Sequence, residues 1–465
     1  MERRIFLRAS AVGLSLSSAA PVTTARMGPA TARQGSYEPL GRVPVEAAAE
    51  AVVGDGGETA YLATMTGFAT VDVSDPTDPT VLVDREVEIG DRPLSNILDV
   101  SVDGDRLVVA GPANFGYEPM GFRCYDVSDP ADPIPAGEYE TGYHIHNCYL
   151  EGDLLFVAEN DFDTDTNALA IFDVADGIER IGSWSLLDRD PGWRDRPFLG
   201  RYLHDVYVQD DLAYLPYWNA GTYLVDVSDP TAPEYVSHVA DTTLEAQQGV
   251  AREDAVYGLP GNDHYAAVDD TGDLMAVGRE AWATSGDPDR PGGIDLYDVS
   301  DTAEPVHRGS IDPPRADDET YAGRRWTTSH NFEFRDGRLY SSWYRGGVKI
   351  HDVSDPSEPE ELTWWRDADE TAFWTAQVLE PGETFVASST EAIPRTSLDG
   401  ALYTFPIERG TTVVDDGFDA DSPSNGSESD GADDSVPGFT GAAALVGGAA
   451  GLEWLRRRGN GNVQD

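Results

Sequence analysis

One short motif constrains this chain more than any other feature. Val-Asp-Val-Ser-Asp-Pro stands at residues 71–76 and again at 225–230. Tyr125 and His351 open two further copies, at 125–130 and 351–356, and looser copies fill 172–176 and 297–302. Such a segment is a turn with a mechanism: the aspartate accepts from its own backbone, and the proline presets φ and ends the preceding strand. Ahead of each copy lie two short apolar strands, such as H-D-V-Y-V from His204 and L-A-Y-L-P-Y-W from Leu212. After it comes another, such as E-Y-V-S-H-V from Glu234. The unit reads as strand A, tight turn, strand B, loop, strand C ending in the motif, then strand D. Four short strands recurring every 45 to 70 residues or so are the pattern of a β-propeller.

Units open near Ala49, Asp99, His146, His204, His264, His330 and Trp374, which makes seven. The last has no fourth strand, while Y-E-P-L-G-R-V-P-V at residues 37–45 stands alone before the first. The expectation is therefore an all-β, seven-bladed propeller of four-stranded blades over residues 37–409. Its N-terminal strand completes the seventh blade and closes the ring, removing two exposed sheet edges.

Charge narrows the partners. The net charge of -52 argues against nucleic acid or anionic lipid headgroups binding the body, since both need a basic face. The hydrophobic content of 40% still supplies a packed core, so the acidity does not imply disorder. With Lys349 as its single lysine, the composition resembles that of proteins from extreme halophiles, whose self-repulsion is screened by salt. Cys124 and Cys148 are too few for a disulfide framework; they fall in neighbouring repeats, as a pair or as two buried thiols.

Both ends read as addresses. Residues 1–25, with Arg3-Arg4, Phe6-Leu7 and a short apolar run, resemble a twin-arginine signal peptide. Residues 410–436 form an acidic Ser/Asp/Gly-rich spacer expected to be disordered. Residues 437–458 combine Pro437-Gly438-Phe439, an apolar run and Arg456-Arg457-Arg458, and resemble the PGF-CTERM sorting signal of archaeal surface proteins. That resemblance implies a tail that is processed and joined to lipid; the other reading is a short plain membrane anchor. Either implies a protein outside the cell that meets the membrane through its C-terminus only.

The repeat also orients the ring. A-to-B turns are tight and C-to-D turns are the stereotyped motif, so the long connections collect on one rim. They are residues 187–203, 241–263 and 312–329 between blades, and 111–120, 159–167, 280–292 and 390–400 between strands B and C. Long loops on a rigid scaffold are where function concentrates. At the head of strand A, where the channel opens onto this rim, His146, His204, His264 and His330 occupy one position in four consecutive blades. Asp99 and Trp374 are the counterparts in the second and seventh. Four imidazoles at one mouth suit Cu, Zn, Fe or Ni, and His144, two residues from His146, is a candidate fifth ligand. The competing reading is an internal hydrogen-bond network of the kind WD-repeat propellers build around a histidine near strand A.

After strand B come Trp218-Asn219 and Trp343-Tyr344-Arg345, with Glu159-Asn160 and Arg279-Glu280 at matching places. With Asp99 and Trp374, the residues Trp218, Asn219, Trp343 and Arg345 form a candidate ligand rim, or else aromatic packing between blades. Asp161, Asp163 and Asp165 resemble the start of a calcium loop, without the glycine at its sixth place or the glutamate at its twelfth. No sequence pattern nominates a catalytic nucleophile.

The D-V-S-D-P-x-x-P units resemble the LVIVD-repeat family of propeller-like surface proteins in bacteria and archaea, a family without a settled biochemical role. The implied function is a surface-anchored binding module whose rim takes a surface protein, a glycan or a small ligand. The alternative follows from R-Y-L-H-D-V-Y-V and L-P-Y-W-N-A-G-T-Y-L-V-D-V-S-D-P, which are similar in style to selenium-binding-protein propellers. Those include copper-dependent methanethiol oxidases, so that resemblance implies a metal-dependent oxidoreductase using the histidines.

Overall fold

Seven antiparallel four-stranded sheets follow one another along the chain. The computed structural model describes residues 37–393 and 396–407, with the backbone of Val413–Asp415. The export and sorting segments expected at the two ends lie outside the described residues. Blade 1 shows the plan: strand A is Ala48–Val53, B is Thr59–Thr64, C is Gly67–Asp72 and D is Thr80–Glu86. The remaining A strands are Asp99–Asp103, His144–Glu151, Tyr207–Gln209, Asp263–Val268, Phe332–Arg335 and Phe373–Glu380. Their side chains surround the central channel.

The turn motif works through both of its aspartates. Asp72 accepts from the backbone and hydroxyl of Ser74 at 2.9 and 2.6 Å, and Asp75 does the same for Thr77 at 3.0 and 2.7 Å. These two consecutive side-chain-capped turns recur at Asp226 and Asp229 and at Asp352 and Asp355. The proline carbonyl then locks neighbours together: Thr70 of blade 1 donates to Pro130 O of blade 2 at 2.7 Å. Apolar side chains fill the wedges between blades. Cys124 and Cys148 share the wedge between blades 2 and 3 as free, buried thiols.

The ring closes as expected. Gly41–Pro44 is the outer strand of blade 7, pairing antiparallel with Ala401–Pro406 from Gly41 opposite Thr404 to Pro44 opposite Ala401. Tyr37 adds a hydroxyl donated to Pro406 O at 2.7 Å. The chain then does something that its repeats do not encode. Val413–Asp415, within the stretch read as spacer, pairs parallel with Glu360–Asp367, strand D of blade 6.

The rim asymmetry is present too. The connection into blade 4 carries Leu186–Arg189, Pro191–Asp195 and Phe198–Arg201, all short helical pieces. The connection into blade 5 carries Arg252–Tyr257, and that into blade 6 carries Tyr321–Gly323. One expected loop is absent: residues 159–167 are mostly strand, because Leu154–Asp161 and Thr166–Asp173 stay paired out to Asp161 opposite Thr166. Of the polar residues there, Asn160 and Asn167 are buried and bonded to each other across the ladder, and only residues 163–165 at its turn are exposed. Among the described residues no helix is long and apolar enough to cross a membrane.

Gly221 opens strand C of blade 4 at φ +95°, and a Cβ there would lie 2.1 Å from the Val239 carbonyl oxygen. Gly221→Ala is expected to lower unfolding stability by about 1–3 kcal/mol. Gly142→Ala, in open space, should leave stability unchanged or raise it by less than about 1 kcal/mol. Equilibrium denaturation of both variants checks the pair.

Candidate metal centre beneath the loop-bearing rim

A regular strand sends successive side chains to opposite faces. The inner strands break that rule at their heads. Pairing slips by a residue between Ile145 and Cys148, between Asp263 and Tyr265, between Ala48 and Ala51, and between Phe373 and Thr375. Each slip is a bulge, which kinks the strand and re-aims side chains. In blade 3 the slip brings the consecutive residues His146 and Asn147 to the channel; in blades 4 and 6, where strand A starts only at Tyr207 and Phe332, the corresponding pairs His204-Asp205 and His330-Asn331 lie just ahead of the paired strand. His146, His204 and His330 lie in an upper layer, and Asn147, Asp205 and Asn331 line the cavity below it.

The upper layer is an arc of touching rings. Centroid separations are 4.3 Å from His146 to His204, 4.0 Å from His204 to His264 and 4.4 Å from His264 to His330. Trp374 continues the arc 4.2 Å from His330, and Trp218 stacks on His204 at 5.2 Å. All four histidines are fully buried. Burial drives their pKa values down, His146 to about 4 and His330 to about 3, so all are neutral imidazoles near pH 7.

The four are not equivalent. His146 Nδ1 lies 2.9 Å from Ala113 O and His330 Nδ1 lies 2.7 Å from Trp374 O. A carbonyl can only accept, so both rings carry the proton on Nδ1 and the lone pair on Nε2. A hydrogen bond to backbone from the far nitrogen is also how ligating histidines are usually oriented. Among the described residues neither ring nitrogen of His204 has a well-formed hydrogen bond, its one polar approach being to the His264 backbone, and His264 has none on Nδ1. The only contribution favouring protonated His204 comes from the His264 backbone.

Glu280 completes the cluster. It follows strand B of blade 5, Leu274–Arg279, at the start of a rim loop, and Tyr344 donates to its Oε1 at 2.6 Å. Its Oε2 is buried and unpartnered. Burial raises the carboxyl to about 7 against the Tyr344 hydrogen bond. Donor atoms of His204, His264 and Glu280 all lie within 4.8 Å of one another. Ligands about 2.1 Å from a zinc-like ion sit roughly 3–3.5 Å apart, so small side-chain rotations would close this set on a metal. Buried polar atoms without partners cost about 1–3 kcal/mol each, and several converge here.

Other residues nominated from sequence fall elsewhere. His144 is outside the cluster: its Nε2 meets the Tyr202 hydroxyl at 2.5 Å, and Phe115 packs on the ring at 4.0 Å. Asp99 is not the counterpart of the histidines. The pairing of strands A and B in blade 2 has no slip and puts Asp99 opposite Ala110, level with Asn147, so that Leu98 takes the histidine position. Trp343 is buried in the wedge between blades 5 and 6, with Nε1 donating to Ser341 Oγ at 2.9 Å. Arg345 donates to Ala368 O at 2.6 Å, and Asn219 brackets the next loop by accepting from Asn262 N at 3.1 Å. These two pin loops rather than face a ligand. Asp161 accepts from Asp163 N at 2.8 Å, and Asp165 is ion-paired with Arg201. With its third carboxylate neutralised by arginine, this turn is not arranged as a calcium loop.

Fold and site together define a repeat-built β-propeller with a buried ionisable axis. Two segments, residues 56–84 and 200–241, match the family model described as LVIVD repeat. Among solved structures the chain is similar to the β-propeller domain of Cps50 (Swd1) from Myceliophteria thermophila. The TM-score is 0.55 at 9% identity, over 80% of this chain and 100% of that one. That likeness is one of fold alone. No curated protein matches the chain in sequence.

Neutral, buried histidines make folding sensitive to acid. Below about pH 6.5 the unfolded chain protonates His144 while the folded chain, with that pKa lowered to about 3, does not. Stability is thus lost as pH falls through that window. Relative to His144→Phe, metal-free wild type should lose about 1 kcal/mol for each pH unit between roughly 6.5 and 4. Denaturant titrations of both proteins across this range measure the slope.

Proposed function

We propose that the protein is a binding propeller that works through its loop-bearing rim and holds a transition metal ion beneath it. The observation that carries this reading is the convergence of His204, His264 and Glu280, all buried, with both His204 ring nitrogens, His264 Nδ1 and Glu280 Oε2 lacking a well-formed hydrogen bond among the described residues. A purely structural histidine network would spend those atoms on hydrogen bonds, as His146 and His330 do on backbone carbonyls. Neutral imidazoles with one carboxylate favour copper, zinc, iron or nickel over calcium. Burial under Trp218 and Tyr344 favours a resident ion that fastens the rim loops of blades 4 to 6 together.

The signals read at the two ends extend the proposal. They would place the rim outside the cell on a C-terminally anchored protein, where a surface protein, a glycan or a small ligand could meet it. A second reading, an oxidoreductase of the selenium-binding-protein kind, draws on one feature of the same cluster. Two histidines and one carboxylate leave coordination positions open for a substrate or oxygen.

Metal analysis of protein purified in high salt without an affinity tag tests the proposal. About one equivalent of copper, zinc, iron or nickel per chain is expected, with affinity falling at least about 10-fold in His204→Ala and Glu280→Gln. Wild-type protein that carries no transition metal, and takes none up after stripping and reloading, would sink it.

A further inference from the structure

Beneath the histidine layer the channel widens into a cavity of about 160 Å³. Three carboxylates line it: Glu50 of blade 1, Asp99 of blade 2 and Asp205 of blade 4. All are 4–5% exposed. Among the described residues no arginine, lysine or histidine forms an ion pair with any of them. Asp263, as deeply buried, is treated in the reverse way and lies 3.3 Å from Arg279.

Each carboxylate accepts hydrogen bonds, Glu50 from Thr375 and Trp374 as well as Asn331, but among the described residues none of these partners is a cation. Asp99 Oδ2 accepts from Cys148 N at 2.7 Å, and Asp205 accepts from Val206 N at 2.7 Å and Asn147 Nδ2 at 2.9 Å. Asn331 Nδ2 reaches Glu50 Oε2 at 2.8 Å from the far side of blade 7. That bond turns Asn331 Oδ1 into a second kind of evidence. The amide lines the cavity, is 5% exposed, and its oxygen is buried with no donor. A carbonyl-type oxygen left free beside three carboxylates is a donor set without a cation.

We infer that this chamber is a binding site for a hydrated divalent cation, calcium in the first instance, separate from the histidine centre above it. The carboxylate and amide donors are oxygens, which selects a hard ion, and burial keeps the Cys148 thiol that also lines the cavity protonated. Unlike the histidine cluster, the three carboxylates do not bring one oxygen each within 4.8 Å of one another, so much of the coordination shell would be water. Calcium tolerates such an irregular set of six to eight oxygens, whereas magnesium demands near-octahedral geometry. A divalent ion balances two of the three charges, and the third carboxyl keeps its proton. Bound there, the ion would tie the inner strands of blades 1, 2, 4 and 6 to one point on the axis.

Terbium, a luminescent calcium mimic, serves as probe because Tyr149 and Tyr265 line the cavity and can sensitise it. Titration at about 1 M NaCl, where the Debye length is near 3 Å, suppresses binding to the acidic surface. One saturable site per chain is expected, displaced by Ca²⁺ and retained in His204→Ala. Asp99→Asn/Asp205→Asn should weaken it about 10- to 100-fold, as should Glu50→Gln alone to a smaller degree. Asp129→Asn/Asp229→Asn, in exposed turns, should not. Ca²⁺ should raise the melting temperature of wild type but not of Asp99→Asn/Asp205→Asn, which should melt higher than wild type when both are metal-free. Equal binding by wild type and both carboxamide variants, or binding lost in wild type at 1 M NaCl, would assign the ion to the surface and overturn the site.

Discussion

Everything distinctive about the axis of this molecule depends on the bulge at the head of strand A. A strand that kept its alternation would offer the channel one side chain in two, and the histidines would sit over whatever followed two residues later. By opposing two residues to one, the bulge brings consecutive positions to the same surface. His146 then lies above Asn147 as part of two stacked layers rather than on the opposite face from it. One layer is nitrogen-rich and neutral; the next is oxygen-rich and acidic. Two chemically distinct donor sets a few ångströms apart would otherwise require two different strands.

Aspartate is used in opposite senses inside and outside. On the surface each turn-motif carboxylate accepts from its own following residues, and those hydrogen bonds lower the pKa of Asp72, Asp75, Asp226 and Asp229. There the charge is stabilised locally and costs only the mutual repulsion of an acidic surface, which salt screens. Around the channel, burial raises Asp99 to about 7 and pushes Glu50 and Asp205 well above the usual carboxylate range, with the charge of Asp99 adding to both. Abundant acid is therefore not evidence of a site anywhere on this chain; acid without a local partner is.

The blades were legible because their signal is local. An aspartate followed by serine and then Asp-Pro specifies its turn within six residues, so counting turns counts blades, and one strand missing at the end points to one spare at the start. The histidine layer was legible for the same reason, as a fixed offset before strand B. What the sequence hid is what needs three dimensions. Glu280 belongs to a loop and meets His204 only because neighbouring blades bring them together. Asp99 was placed one step too high because a bulge adds a residue without marking itself in the sequence, and blade 2 lacks one. Trp343 read as a rim aromatic and proved to be inter-blade core, since an aromatic after strand B serves either purpose. The run from Asp161 to Asp165 mimicked a calcium loop until Arg201 appeared beside it from 36 residues away.

The pairing of Gly41–Pro44 with Ala401–Pro406 has a consequence in time rather than in space. The first of the described strands to be synthesised waits for a partner made some 360 residues later, so its edge stays open through nearly all of elongation of the propeller. Blades 1 to 6 consist of hairpins whose strands are neighbours in sequence and can pair as they emerge. Blade 7 cannot be finished until the whole repeat array exists. The ring thereby proofreads its own length: a chain truncated before Ala401–Pro406 can pair the hairpins of its earlier blades, but it retains one unsatisfied edge at each end of an open arc.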